Sequence, residues 1–341
     1  MEQQLAEDVK LILKDNVLAI TSQSGLATVS SAIFNGGCKE IRAVLNVGVP
    51  TGYSDRSLHL DPLELITTSA AKLGITQHYL AMVTAANVQN YSLVTNRTDS
   101  FNVSVIATAG CSHGESSGEE MGVSEITGTI NIIVLIDAYP TASCMVAALI
   151  TATEAKSAAL RDFDVRSRYT GDSATGSITD SVTIASTGRG KTVTLAGPAS
   201  KVGKVVAYCV RRAVTEALLK QEPVWGMRSV VDRLRERDLP LEKLAAEVSK
   251  VEGLNADSNG LAEILKKYPA ASSLLLAAAK LDDDYKKSLV PTDLVGMDVW
   301  KCFGVDFKLD CGKLPSFDAV DLPPFVKHTL INIVKAAVSR P

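Results

Sequence analysis

Nine residues, Ile130 to Ala138 (INIIVLIDA), limit what this chain can become more than any other stretch. Most are apolar and several are β-branched, so the run is stable only where both of its faces are covered. It is too short to span a bilayer and has the length of a buried strand. Thr141 to Leu160, rich in Ala, Met, Leu, Glu and Lys, follows at once and reads as a long helix. A buried strand feeding a long helix predicts a sheet with helical cover.

The same pattern recurs through residue 220. β-branched runs bounded by Gly, Asn or Ser predict strands at Val9 to Ile20, Ala27 to Phe34, Ile41 to Val47, Tyr79 to Ala85, Phe101 to Ala109, Thr127 to Ile136 and Asp180 to Ala185. Helices are expected at Asp61 to Leu73, where Asp61-Pro62 supplies a cap and a first-turn proline, and at Ser200 to Lys220. In the latter, Val202, Val205, Val206, Cys209, Val210 and Ala213 form one apolar stripe. After Gln221-Glu222-Pro223 strand signals nearly vanish. Met227 to Val251, Asn259 to Lys280 and Phe325 to Val338 read as helices. The expected organisation is an α+β unit over residues 1–220, with layered mixed β-sheets covered by helices, and a mainly helical unit over 221–341.

Composition narrows the function classes. With 38 acidic residues against 35 basic ones the charge nearly cancels, which disfavours nucleic acid and anionic membranes as partners. The N-terminal segment MEQQLAEDVKLILKDN lacks the basic start and apolar core of a secretory signal, so a cytoplasmic location is expected. Six cysteines and four histidines stand apart, with no CxxC or HExxH spacing, and no protein-bound metal is expected.

Several polar groups stand out against this apolar background. Asn35-Gly36-Gly37 follows a strand, where paired glycines let a ligand approach backbone N–H groups or simply build a turn. Asn46 and Asn131 place amides in strands that are expected to be buried, and an unpaired buried amide costs about 1–3 kcal/mol. Thr151 and Glu154 share a helix face, whereas Lys156 is expected to point elsewhere. The loop VRSRYTGDSATGSITDS, with Arg166, Arg168, Thr170, Asp172, Thr175, Thr179 and Asp180, carries more hydroxyls and charges than a connector needs.

Five strings in order carry a resemblance: SSAIFNGG (30–37), AVLNVGVP (43–50), LAMVTAA (80–86), ATAGCSHG (107–114) and GTINIIVLIDAYPTASCMVAALITATEAKSAAL (128–160). With the ATGSITDSVTIAS loop (174–186), they resemble the CbiZ family of adenosylcobinamide amidohydrolases over about residues 9–218. The family loop reads closer to ATGTGTDQ, so Ser177, Ile178 and Ser181 depart from it. His113 stands near a position where the family usually carries an asparagine. Glu115 to Ile126 reads as an acidic loop inserted at that same edge.

The resemblance implies a carbon–nitrogen hydrolase acting on a linear amide. Its substrate would be adenosylcobinamide, cut at the aminopropanol amide to give adenosylcobyric acid for corrinoid salvage. No cofactor is implied beyond the cobalt that the substrate carries, and a homo-oligomer is compatible with it. Within the matching strings Glu154 and Asp180 are the carboxylates best placed for proton transfer. Asn131, Thr84 and Thr175 are candidate oxyanion donors, and Asn35, Gly36, Gly37, Asn46, Ser112, His113 and Thr179 candidate substrate contacts. Asn35, Asn46, Thr84, Asn131, Glu154, Thr175 and Asp180 are expected to converge on one pocket. Two other readings stay open: a corrinoid-binding or escort protein without hydrolysis, and an N-acyltransferase-like self-processing hydrolase. The latter follows from a distant likeness in element order to ornithine acetyltransferase and the DmpA aminopeptidase.

Overall fold

The computed structural model describes residues 1–50, 62–111, 114–120, 128–254, 256–291, 294 and 319–338. Its contacts divide the chain into one unit of Met1–Tyr169 with Ser173–Met227 and a second of Thr170–Asp172 with Arg228–Pro341.

The first unit is α+β and is built on a curled mixed sheet. Strands β1 (Glu2–Ala6), β2 (Val9–Lys14), β3 (Val17–Ser30), β10 (Ser181–Ser186), β8 (Thr129–Asp137), β7 (Asn102–Gly110) and β6 (Ser92–Arg97) lie side by side. β4 (Gly37–Gly48) pairs with β3 and with the parallel strand β5 (Tyr79–Thr84). A short β9 (Tyr139–Pro140) pairs with β11 (Thr192–Val193). The single strand expected over 9–20 is two, because Asp15 and Asn16 both adopt positive φ (52° and 60°). They form the two-residue turn that returns an antiparallel hairpin, pairing Lys14 with Val17. From there β3 runs unbroken to Ser30, and β1 and β6 were not expected from the sequence.

β3 causes the curl. Its first half pairs with β2 and β4 and its second half with β4 and β10, with a register shift between Thr21 and Leu26 where Gly25 takes φ +96°. The sheet therefore folds back, and β4 and β5 face β7, β8 and β10. Leu18, Ile20, Val44, Leu80 and Met82 meet Ile106, Ile133, Leu135 and Ala185 in the core between them.

Helices cover both outer faces. α1 (Leu63–Lys72) sets Ile66 and Ala70 against β3, β4 and β5. Its N-cap is Pro62, and Asp61 lies outside the described residues. α2 (Ala142–Asp162) and α3 (Lys201–Gln221) cover the even-numbered side chains of β8 and β10, with Thr141 and Ser200 as N-caps. The expected stripe of α3 is buried at Val202, Val206, Cys209, Val210 and Ala213, with Val205 half-buried, and each buried valine is worth about 1.5–3 kcal/mol. No helix among the described residues is long and apolar enough to cross a membrane.

The second unit is helical where described: α4 (Val230–Arg235), α5 (Leu241–Val248), α6 (Ser258–Lys267), α7 (Pro269–Lys286) and α8 (Pro324–Val338). Each of the two longer helices expected before residue 281 is divided. Pro240 and Pro269 stand at the breaks, since a proline forces the residue before it out of the helical region.

Candidate active site

The space between the two halves of the curled sheet changes character along its length. For most of it the facing side chains are apolar. At the end where β4, β5 and β7 finish and β8 and β10 begin, they are polar: Asn46, Thr84, Thr108, Thr129, Asn131 and Ser181, all buried. Thr108, Asn131 and Ser181 are in register on three neighbouring strands and occupy one face. Period-two alternation in strands explains why polar residues spaced so far apart in sequence form one row.

Hydrogen bonds order that row. Asn131 Nδ2 donates to Asn46 Oδ1 at 2.8 Å and to the Val83 carbonyl at 2.9 Å, and Asn46 Nδ2 donates to Thr108 Oγ1 at 2.8 Å. The backbone carbonyl fixes the Asn131 amide orientation, because a carbonyl can only accept. Both amide protons of Asn131 are thus committed, and it has none to give an oxyanion as expected from the sequence. Its Oδ1 has no hydrogen-bond partner among the described residues. Thr84 Oγ1 accepts from Ala86 N at 3.1 Å, and Ser31 and Ser181 hydroxyls stand 3.3 Å apart.

A second cluster lies on the other face of the same sheet end. Asp180 Oδ2 is ion-paired with Lys156 Nζ and accepts from Ser177 N at 3.0 Å. Asp180 Oδ1 accepts from Ile130 N at 3.0 Å and from Ser177 Oγ. Four donors occupy the four acceptor sites that a carboxylate offers. Lys156 and Asp180 side chains are only 9% and 11% exposed. Gly176 lies so close that a Cβ there would come within 2.5 Å of Asp180 Oδ2 and 2.7 Å of Lys156 Nζ, so any larger residue would have to displace the ion pair. Thr179 and Thr129 hydroxyls, 2.7 Å apart, stand between the two clusters.

The polar loop is braced by the segment that follows β7. Thr175 N donates to Glu115 O at 2.8 Å, Glu115 N to Gly176 O at 2.9 Å, and Ser117 N to Thr175 Oγ1 at 3.0 Å. Ser157 Oγ of α2 donates to Thr175 O at 2.9 Å. Residues 115–120 of the expected acidic insertion therefore form part of the loop's support. Ser112, His113 and residues 121–127 lie outside the described residues.

The expected convergence is partial. Asn46, Thr84 and Asn131 share the inter-sheet face, while Asp180 and Thr175 lie on the helix side of the same end. Glu154 joins neither. It is exposed in an outer groove lined by Ala158, Arg161, Tyr208 and Arg211, about 200° round α2 from Lys156. The helix buries Thr151, Ala152, Ala155, Lys156 and Ala159, and Thr151 donates to Ala196 O at 2.8 Å. That stripe of small residues turns Lys156 inward, contrary to expectation, and it is the residue that sequence reasoning missed. Asn35 holds an exposed turn at φ 56°, donating to Tyr79 O and accepting from Lys39 Nζ, both at 3.0 Å, with Gly36 and Gly37 beside it.

Burial pushes the Cys111 thiol far up, with Asp180 and Glu222 adding to the effect and Lys156 opposing it. A thiol held neutral is a poor nucleophile. Among the described residues there is no group of three or more His, Cys, Asp or Glu able to hold a metal ion.

Comparison with known proteins bears on the first unit. Residues 2–224 match the CbiZ family, described as adenosylcobinamide amidohydrolase. The chain is similar to an uncharacterized protein of Methanocaldococcus jannaschii, 30% identical over 209 residues, which is 55% of this chain and 81% of that protein. It is also similar to a Methanosarcina mazei protein named adenosylcobinamide amidohydrolase, 30% identical over 213 residues, 61% of this chain and 92% of the relative. A crystal structure of a Pyrococcus horikoshii protein aligns at 11% identity and a TM-score of 0.33, over 62% of this chain and 83% of that one, too distant to bear on fold or function.

Proposed function

The chain belongs to the CbiZ family of adenosylcobinamide amidohydrolases, and on that premise we propose that it hydrolyses the amide joining the corrin propionate of adenosylcobinamide to 1-aminopropan-2-ol. The products are adenosylcobyric acid and the free amine, and the reaction serves corrinoid salvage in the cytosol. No resident cofactor is needed on this reading, since the cobalt is the substrate's own.

The observation that supports this chemistry best is the line of hydroxyl, carboxylate and ammonium formed by the half-buried Ser177 with Asp180 and Lys156. An amide is a poor electrophile and needs an activated nucleophile, together with a proton for the departing amine. Ser177 Oγ shares its proton with Asp180 Oδ1, so Asp180 can take that proton as the oxygen attacks the carbonyl carbon. The carbon–nitrogen bond then breaks, and the amine leaves with the proton. Water attacks the resulting ester, its oxygen stays on the acyl carbon, and the serine hydroxyl is restored. Lys156 is a positioning residue that holds Asp180 in place.

Incubating the full chain with adenosylcobinamide and separating the corrinoids by chromatography tests the reading. Adenosylcobyric acid should accumulate with enzyme and time. Binding of the corrinoid without any turnover would instead favour an escort protein.

A further inference from the structure

The amide of Asn131 is 1% exposed, and its carbonyl oxygen has no hydrogen-bond partner among the described residues. A buried carbonyl in that state is destabilised relative to one that is hydrogen-bonded. Rotating the amide would give no relief. It would set Oδ1 against the Val83 carbonyl and Asn46 Oδ1, two acceptors that now receive its protons. The Asn46–Asn131 pair therefore holds a buried acceptor in one orientation, on the inter-sheet face of β8 at its polar end.

The neighbouring groups have spare capacity of the complementary kind. Thr108, directly opposite Asn131 in register, accepts from Asn46 Nδ2, which leaves its hydroxyl proton without an acceptor among the described residues. Thr84 accepts from Ala86 N and is in the same condition. One fixed acceptor flanked by hydroxyl donors matches a carboxamide, which carries N–H donors and a carbonyl acceptor. A carboxylate in the same place would set oxygen against Asn131 Oδ1.

We infer that Asn131 Oδ1 receives an N–H of a ligand carboxamide and so makes the inter-sheet end select amide-bearing ligands over their carboxylate counterparts. The inference rests on the corrinoid reading above for the ligand's identity. It concerns a group other than the bond that is cut, because Asn131 and Asp180 occupy opposite faces of the sheet. Asn131 is on this account a specificity-determining residue. Asn46 is a positioning residue that acts through it.

The test is the binding of cobinamide and of cobyrinic acid, the same ring with carboxylates in place of its amides, by rapid-mixing quenching of tryptophan fluorescence before turnover. The wild-type chain should bind cobinamide at least about tenfold tighter at equal salt. Asn131→Leu should weaken cobinamide binding by about tenfold or more and leave cobyrinic acid nearly unchanged. Equal affinity of the wild type for the two ligands would overturn the inference without any variant, which covers the case in which Asn131→Leu does not fold. An equal loss for both ligands in Asn131→Leu would overturn it too. Turnover of adenosylcobinamide with no discrimination would leave the proposed reaction standing. Discrimination without turnover would leave the carboxamide site standing and remove the reaction.

Discussion

Lys156→Met keeps most of the aliphatic stem in the α2 interface and removes the ammonium from Asp180. The carboxylate would keep Ile130 N, Ser177 N and Ser177 Oγ but lose its counter-charge at a site where both side chains are about nine-tenths buried. Removing one partner of a buried ion pair costs about 3–5 kcal/mol, because the remaining charge is stranded. Surface pairs of this protein, such as Arg212 with Glu216, would cost a fraction of that. For a unit of this size each kcal/mol moves the melting temperature by about 2–4 °C, so a fall of about 10 °C is expected. Circular dichroism melts of wild type, Lys156→Met, Asp180→Asn and the double variant form the cycle. The double variant should be less destabilised than the sum of the singles by about 1–3 kcal/mol. Strict additivity, or a Lys156→Met melt within about 2 °C of wild type, would refute the assignment of this pair as the anchor of the loop.

Other expectations follow from the same geometry. Ser177→Ala and Asp180→Asn should each lower turnover of adenosylcobinamide about a hundredfold or more while corrinoid binding survives, whereas Glu154→Gln should stay near wild type in a steady-state assay. Cys111→Ala should retain most activity, and complete loss in a folded variant would return the thiol to the search. In the second unit, burial raises the Asp282 carboxyl to about 6 although Phe325 N and Val326 N donate to it at 2.9 and 2.8 Å. The folded state therefore favours the protonated acid. The stability this contributes is present below about pH 4 and is lost as pH rises through 6. Melts of Asp282→Asn against wild type should accordingly shift in favour of the variant between pH 4 and 7, and a difference independent of pH would contradict this.

Strand periodicity made the sheet legible, since β8 is a nearly continuous apolar run and buried strands look like that in sequence. The Asp15-Asn16 turn was missed because β-branched residues on both sides read as one strand. Asn46, Thr84 and Asn131 could be placed together because a polar side chain inside an apolar strand needs company. Their separation from Asp180 could not be read, since it depends on Asn131 and Asp180 falling on opposite sides of the alternation in two strands whose register is set by the fold. Lys156 was misjudged for a similar reason. Judged by its offset from Thr151 it points away, but the alanines at 152, 155 and 159 define the buried stripe, and Lys156 lies beside them. A long side chain at the edge of such a stripe can reach a carboxylate that sequence alone does not place.

The most direct test of the central claim is the fate of solvent oxygen. The chain is incubated with adenosylcobinamide in heavy-oxygen water, and both products are weighed by mass spectrometry. Hydrolysis at the aminopropanol amide predicts one heavy oxygen in the new carboxylate of adenosylcobyric acid and none in the released 1-aminopropan-2-ol. Recovery of unchanged adenosylcobinamide, or heavy oxygen in the amine product, would contradict it.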